Sequence, residues 1–518
     1  MADSNLRQGR SATGLRSPET QAIYVIALAV VLRLVASHFV GLGTDESYSV
    51  AVARDLRLSY FDHPPAQYWL VHAVAPLVGY GRGSRWPFIG LFAASSWLMF
   101  ALTRRLFGER AGLWAVLGLS LSAFFTLPAA SWVLPDGPLI LGLLGATASL
   151  ARIWFPMDGE ARRPWRDWLA VGFWVGVAAL SKYQAALFCV GLGLAVVTTP
   201  TQRRWLLRPQ PYAAGLLALL ILSPVLIWNA RHHWASFAFQ VGRGAPTHGL
   251  HPLGPIVALL AQAGLILPWI FAPMALAAWD AARSGPAEER RWFLLMLAAP
   301  TIALFTLTPL LGSLGLPHWP MPGWLLLFPL FGERLAIAAQ AKRWPRIWLA
   351  VSALFLVLFG AVAAYDADTG AFGAAFPKLF RRGDPTAESI EWTAVRAELV
   401  RRGELGPASP VVVAAQWNEA GKLGEALGDR ATVVVFSPDP REFGLRQDNA
   451  GLVGRDALIL GRIDALKRRL PALSAYFQSV RWAPPIAVGR EGRTEILVGV
   501  VEAHHLLRPY PQPEFAKP

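Results

Sequence analysis

Cysteine is almost absent from these 518 residues: Cys189 stands alone, inside an apolar run. A single thiol excludes an intrachain disulfide framework and any cysteine-built metal centre. Charge is scarce too. Only 16% of residues are charged, against about 25% in an ordinary soluble domain, while 54% are apolar. The chain also lacks a glycine-rich phosphate loop and an internal repeat. No small-residue cleavage site follows the polar, arginine-bearing stretch 1–19, so the apolar run after it is expected to stay as a first span.

What is present is a series of apolar runs long enough to cross hydrocarbon. They fall at 20–40, 86–103, 111–128, 135–154, 167–181, 183–199, 211–229, 253–279, 292–309, 319–337 and 346–365, about eleven in all. The formal net charge of +14 would suit a nucleic-acid partner in another setting. Here the cations gather in short loops between apolar runs, as at Arg104, Arg105 and Arg110, at Arg162, Arg163 and Arg166, and at Arg203, Arg204 and Arg208. Further clusters follow at Arg283, Arg290 and Arg291 and at Lys342, Arg343 and Arg346. All of them fall on the side of the N-terminus, which the positive-inside rule makes cytoplasmic. The expected partner of this charge is the lipid bilayer, with no nucleic acid. The organisation read from this is a cytoplasmic tail 1–19, a transmembrane unit 20–365 with a first outer loop 41–85, and an outer domain 366–518. In the last of these, Val411–Val413, Thr432–Phe436, Ala457–Leu460 and Ile496–Val501 read as buried strands, with a helix over Asn418–Leu427 between the first two.

The outer segments hold the residues that could do chemistry. Asp45 and Glu46 open a helical stretch, 46–57, expected to lie along the membrane surface. They are either first-turn acids that complement a helix dipole, or one of them accepts a proton from a substrate hydroxyl. Asp62-His63-Pro64-Pro65 places an acid and an imidazole just before a helix that runs to about 78. That is an ordinary cap or a seat for a phosphate. Lys182, almost without a loop around it, either snorkels to the headgroups or faces an internal cavity and holds an anion. Asp136, between Pro135 and Gly137, caps a helix or faces the same cavity. His232, His233, His248, His251 and His318 match no familiar zinc spacing, although one of them with Asp62 could hold a divalent metal.

Asp45-Glu46 after the first span, Tyr60-Phe61-Asp62-His63-Pro64-Pro65, Pro135-Asp136-Gly137-Pro138, Leu180-Ser181-Lys182-Tyr183 and His318-Trp319 together resemble the membrane-embedded GT-C type glycosyltransferases. The likeness is to the branch that holds bacterial protein O-mannosyltransferase-like enzymes, the lipid A aminoarabinose transferase and rhizobial galacturonosyltransferases. It covers residues 20–365. The resemblance implies a mainly α, polytopic helical bundle with a small C-terminal extracytoplasmic α/β domain. It implies a polyprenyl-phosphate sugar donor, and an acceptor that is an extracytoplasmic glycan, lipid or protein. On the family pattern Asp45 matches the general base of the first outer loop, with Glu46 its neighbour in the motif. His63 stands where the aminoarabinose transferases have a lysine on the lipid phosphate, and Asp62 where they have a glutamate near a metal. Imidazole is neutral near pH 7 unless perturbed, so Lys182 and Arg243 are expected to carry more of the phosphate charge. Asp136, Tyr183 and His318 complete the expected substrate cavity. A Gram-negative inner membrane, with the outer domain in the periplasm, is the location the family implies.

Three other readings compete: a polysaccharide ligase or polymerase, a lipid-linked sugar transporter, and an inactive scaffold. A transporter would show duplicated hydropathy. Flipping alone would not explain paired acids in the first outer loop, and a scaffold would keep its activity when Asp45 is mutated.

Overall fold

A computed structural model describes residues 17–245, 249–313, 315–376, 378, 384–405 and 410–512. Most of the tail 1–19, and His248 among the candidate metal ligands, lie outside the described residues.

Pro18 opens the first span. Its missing N–H costs nothing at a helix start, and Ser17 Oγ accepts from the Thr20 N–H at 3.2 Å. The helix Pro18–Phe39 has 22 residues, about 33 Å at 1.5 Å each, enough for a bilayer core. Among the described residues seven helices are long and apolar enough to cross: Pro18–Phe39, Arg82–Phe107, Asp136–Trp154, Pro209–Arg231, Glu289–Leu311, Met321–Ala341 and Trp344–Thr369.

Two stretches read as single spans, 111–128 and 253–279, are broken inside, and the run 183–199 ends in a sharp bend. Glu109–Leu121 and Ala123–Ser131 meet at 81°, Ala185–Thr198 and Pro200–Leu207 at 113°, and Gly254–Ile266 and Pro268–Ala287 at 116°. Proline explains two of the breaks, because the residue before it is driven from helical geometry. Leu267, before Pro268, has φ +83°, and Thr199, before Pro200, is extended. At the first break Arg33, buried in the opening span, donates to the Thr126 carbonyl at 3.2 Å. The expected fifth span is a short helix, Pro164–Ala179, of 16 residues. Gly172 and Gly176 on it lie one turn apart and meet Ala214 and Ile221 of Pro209–Arg231, so the two backbones approach closely.

Beyond the spans lies a five-stranded sheet: β1 (Val411–Ala414), β2 (Thr432–Val435), β3 (Ala457–Arg462), β4 (Phe477–Arg490) and β5 (Arg493–Leu506), in the order β2-β1-β3-β5-β4. The first three are parallel, and β5 and β4 add antiparallel. Strand β4 escapes sequence reading because Pro484 and Pro485 interrupt it. The sheet tolerates them because β4 is an edge strand and its register shifts between Ala483 and Ile486.

The first outer loop is not a surface element. Helix Thr44–Ala53 is buried from Glu46 to Ala53, against helix Trp417–Leu427 of the sheet region. Gly421 permits the contact: a Cβ there would stand 2.8 Å from Tyr48 Cα. The stretch expected to lie along the membrane surface is thus covered by chain from the far end of the sequence.

Candidate active site

The site forms where three turns meet. Asp62-His63-Pro64-Pro65 leads into helix Ala66–Val78, whose first N–H, on Ala66, donates to the Leu180 carbonyl at 2.9 Å. That bond ties the loop to the end of helix Pro164–Ala179, two residues from Lys182. Lys182 does not snorkel. It is buried, and its Nζ lies 3.0 and 3.2 Å from the two oxygens of Asp136, the buried first residue of helix Asp136–Trp154. A buried cation so paired turns toward the protein interior. Tyr183 beside it shares a 2.7 Å hydrogen bond with Ser236 and packs at a tilt against Phe237, centroids 4.6 Å apart.

Asp45 and Glu46 are adjacent in sequence and opposite in situation. Glu46 is buried. Arg85 Nε donates to it at 2.7 Å, the Gly43 N–H at 2.9 Å and the Val133 N–H at 3.1 Å. These bonds use its acceptor capacity in fastening the loop, so Glu46 braces it. The Asp45 side chain is open to solvent and makes no hydrogen bond or ion pair among the described residues. Protein crowds it nonetheless. Loss of hydration, with Glu388 and Asp62 nearby, raises its pKa above the usual carboxylate value against the pull of Arg441 and Arg243.

The cations face it. His63 is driven well below the usual imidazole value by burial and by the charges of Lys182, Arg243 and Arg441. His318, whose ring lies parallel to that of Phe124, falls to about 4 through burial and Lys182. Both imidazoles are therefore neutral near pH 7. Arg243 lies between two rings, 5.5 Å from the Trp319 centroid and 5.6 Å from Phe239, with no carboxylate partner among the described residues. Its neighbourhood also carries the charges of Arg441, Asp62 and Asp45.

Asp62 is not an open metal ligand. It accepts from Arg441 Nη1 at 2.6 Å and from the Tyr48 hydroxyl, and its own carbonyl accepts from Gln240. Among the described residues no three His, Cys, Asp or Glu side chains converge as a metal site would require. Arg441 is the residue that sequence reading missed. It follows β2 in the turn Ser437-Pro438-Asp439-Pro440 and packs its guanidinium over Trp417 and Phe239 at 4.5 and 4.7 Å. Its φ of +53° is unusual for a side chain of this size. A proline-rich turn beyond the C-terminal end of a parallel strand is where α/β sheets present ligand-facing groups, and that signal was available.

With this geometry in hand, the comparisons with known proteins can be stated. Residues 62–228 match the family described as dolichyl-phosphate-mannose-protein mannosyltransferase. The lipid A galacturonosyltransferase RgtD of Rhizobium johnstonii is 25% identical over 337 residues, 61% of this chain and 64% of that protein. The lipopolysaccharide core galacturonosyltransferase RgtA of the same organism is 27% identical over 202 residues, 39% of each. The chain thus spans less than two thirds of the length of either relative. The crystal structure of ArnT from Cupriavidus metallidurans bound to undecaprenyl phosphate superposes with a TM-score of 0.63 at 17% identity, covering 92% of this chain and 97% of that one. The chain is an integral membrane protein with the GT-C fold of the membrane-embedded glycosyltransferases.

Proposed function

We propose that this chain moves a single sugar from a polyprenyl-phosphate donor to an extracytoplasmic acceptor, inverting the anomeric carbon. One observation carries the reading: the carboxylate of Asp45 and the guanidinium of Arg243 each feel the other's charge, and neither has an ion-pair partner among the described residues. A base and an anion holder in that relation suit attack on a sugar phosphodiester.

Asp45 takes the proton of the acceptor hydroxyl, whose oxygen forms the new bond to C1 of the sugar. The C1–O bond to phosphate breaks, and polyprenyl phosphate departs as a monoester. That leaving group needs no proton, only stabilisation of its growing charge. Arg243 supplies it directly. The neutral His63 donates an N–H and gains affinity for a proton as the phosphate arrives. Lys182 and Arg441 add their field while Asp136 and Asp62 hold them in place. The loss of hydration that raises the pKa of Asp45 also strengthens it as a base.

ArnT crystallised with undecaprenyl phosphate, and RgtD and RgtA are named for lipid A and lipopolysaccharide core. These support a polyprenyl donor, a lipid A or lipopolysaccharide acceptor and galacturonate as the first sugar to try. The arginine clusters in the loops support a site on the side of the bilayer opposite the N-terminus, facing the periplasm of an inner membrane. The test is sugar transfer by purified protein from a panel of polyprenyl-phosphate sugars. Asp45→Asn is expected to lower turnover by about 10²–10⁴-fold with donor binding intact. Equal turnover in both proteins removes Asp45 as base. Failure of both to bind or consume any donor leaves the transporter and scaffold readings ahead.

A further inference from the structure

Helix Asp136–Trp154 begins at the candidate site and has 19 residues, so its other end lies about 28 Å away. A cavity of about 220 Å³ opens there, between that end, the start of helix Pro164–Ala179 and the turn 204–210. Five arginines line it, Arg152, Arg162, Arg163, Arg204 and Arg208, together with two acids, Glu160 and Asp167. Both acids are already engaged. Glu160 binds Arg105 through two bonds of 2.6 and 2.9 Å, and Asp167 accepts from Arg152 at 3.0 Å. The four remaining arginines have no carboxylate partner among the described residues.

Two further features favour an anion. Helices Pro164–Ala179 and Pro209–Arg231 both begin at this cavity, with Arg163 and Arg208 as N-caps and no side chain capping either. Their free N–H groups and positive dipole ends add to the arginine field. Trp205 also lines the cavity. Its indole N–H is buried without an acceptor, as the Gln210 Oε1 is without a donor. An orphaned buried donor in an electropositive recess is a costly arrangement unless something fills it.

Apolar surface beside the cavity selects the source of that anion. Leu206, Leu207, Tyr212 and Leu216 are exposed next to Arg208, Leu207 at 91%. A free phosphate or a nucleotide has no use for that stripe, whereas acyl chains do. We propose that this cavity binds the phosphate headgroup of an anionic phospholipid of the arginine-bearing leaflet, with its chains along Leu206, Leu207 and Leu216. The guanidinium groups and the Trp205 N–H contact the headgroup oxygens.

The test is native mass spectrometry of the full chain in detergent, incubated with phosphatidylglycerol or phosphatidylcholine, with inorganic phosphate as a separate competitor. Phosphatidylglycerol is expected to be retained and phosphatidylcholine lost. The double variant Arg204→Gln/Arg208→Gln should retain about 10–30-fold less phosphatidylglycerol. Trp205→Phe, which deletes the N–H and keeps one aromatic ring, should also reduce retention, and it decides alone if the double variant does not fold. Unchanged retention in a folded variant overturns the proposal, as does equal retention of phosphatidylcholine. Displacement of phosphatidylglycerol by millimolar inorganic phosphate also overturns it, because the site would then be one for a free anion.

Discussion

Arg441 Nη1 lies 2.6 Å from Asp62 Oδ1, joining two residues 379 positions apart in the chain. The carboxylate is buried, and the arginine comes from the turn after β2. The sheet region is thereby part of the wall around His63 and Arg243, not an appendage to the spans.

Removing that arginine should hurt twice. Arg441→Ala leaves the Asp62 charge buried with only Tyr48 for support, and loss of one partner of a buried pair costs about 3–5 kcal/mol. A lowered melting temperature is expected, with a fall in turnover that persists in the fraction still folded. Restoration of both by Arg441→Lys would mean that charge alone matters and that stacking on Trp417 does not.

Glu46 separates bracing from catalysis. Glu46→Gln keeps the shape but halves the bond to Arg85, while Glu46→Ala leaves a buried arginine unpaired, at about 3–5 kcal/mol. Thermal melts should show both losses in that order. Turnover per folded molecule should stay within a few-fold of the parent, in contrast to Asp45→Asn. A collapse of turnover in a stably folded Glu46→Gln would return this acid to the reaction.

Donor affinity should depend on pH through His63. Its folded pKa is depressed, so its neutral form stabilises the empty protein above the ordinary imidazole value, and that stability is lost as pH falls toward the depressed value. A bound phosphate raises the His63 pKa again, so binding takes up a proton and donor affinity should strengthen as pH falls from 8 to 6. Calorimetry in buffers of different ionisation enthalpy reads the uptake directly. His63→Gln should abolish it, and uptake that survives in that variant assigns the proton elsewhere.

Turnover should fall on the acid side at a higher pH than an ordinary carboxylate would impose, since the base must be ionised and burial raises the pKa of Asp45. The pH profile of kcat/KM should show this limb. Arg243→Gln, which removes a charge that favours the carboxylate, should move the limb further upward.

Much of the membrane region was legible because hydropathy and loop charge are one-dimensional signals, read by counting along the chain. The breaks at Ser122, Thr199 and Leu267 were less so: a run of apolar residues looks the same whether straight or bent, and only Pro200 and Pro268 marked two of the bends. In the site, Asp45, His63 and Lys182 stood out by residue type and place and Arg243 by the family resemblance; the charges of Lys182 and Arg243 act on His63, and that of Arg243 on Asp45. Their partners were invisible for a simple reason. Nothing local distinguishes Glu46, held by Arg85, from Asp45, held by nothing. Nothing local to Asp62 announces the bond it accepts from Arg441. Strand β4 was hidden by two prolines that only an edge position permits.

The clasp of helix Trp417–Leu427 on the first outer loop has a consequence for how the protein is made. Lys422 Nζ donates to the carbonyls of Leu42, Glu388 and Ile390 at 2.6, 2.7 and 3.1 Å, and it reaches back 380 positions to the first of them. At about 5–20 residues per second, a ribosome needs roughly 20–75 seconds to deliver it. Throughout that interval the first outer loop has emerged but cannot close, and its apolar face has nothing to cover it. The spans are inserted in order, yet the recess is completed last. A chain halted before residue 422 would therefore sit in the membrane with its helices in place and its chemistry unassembled.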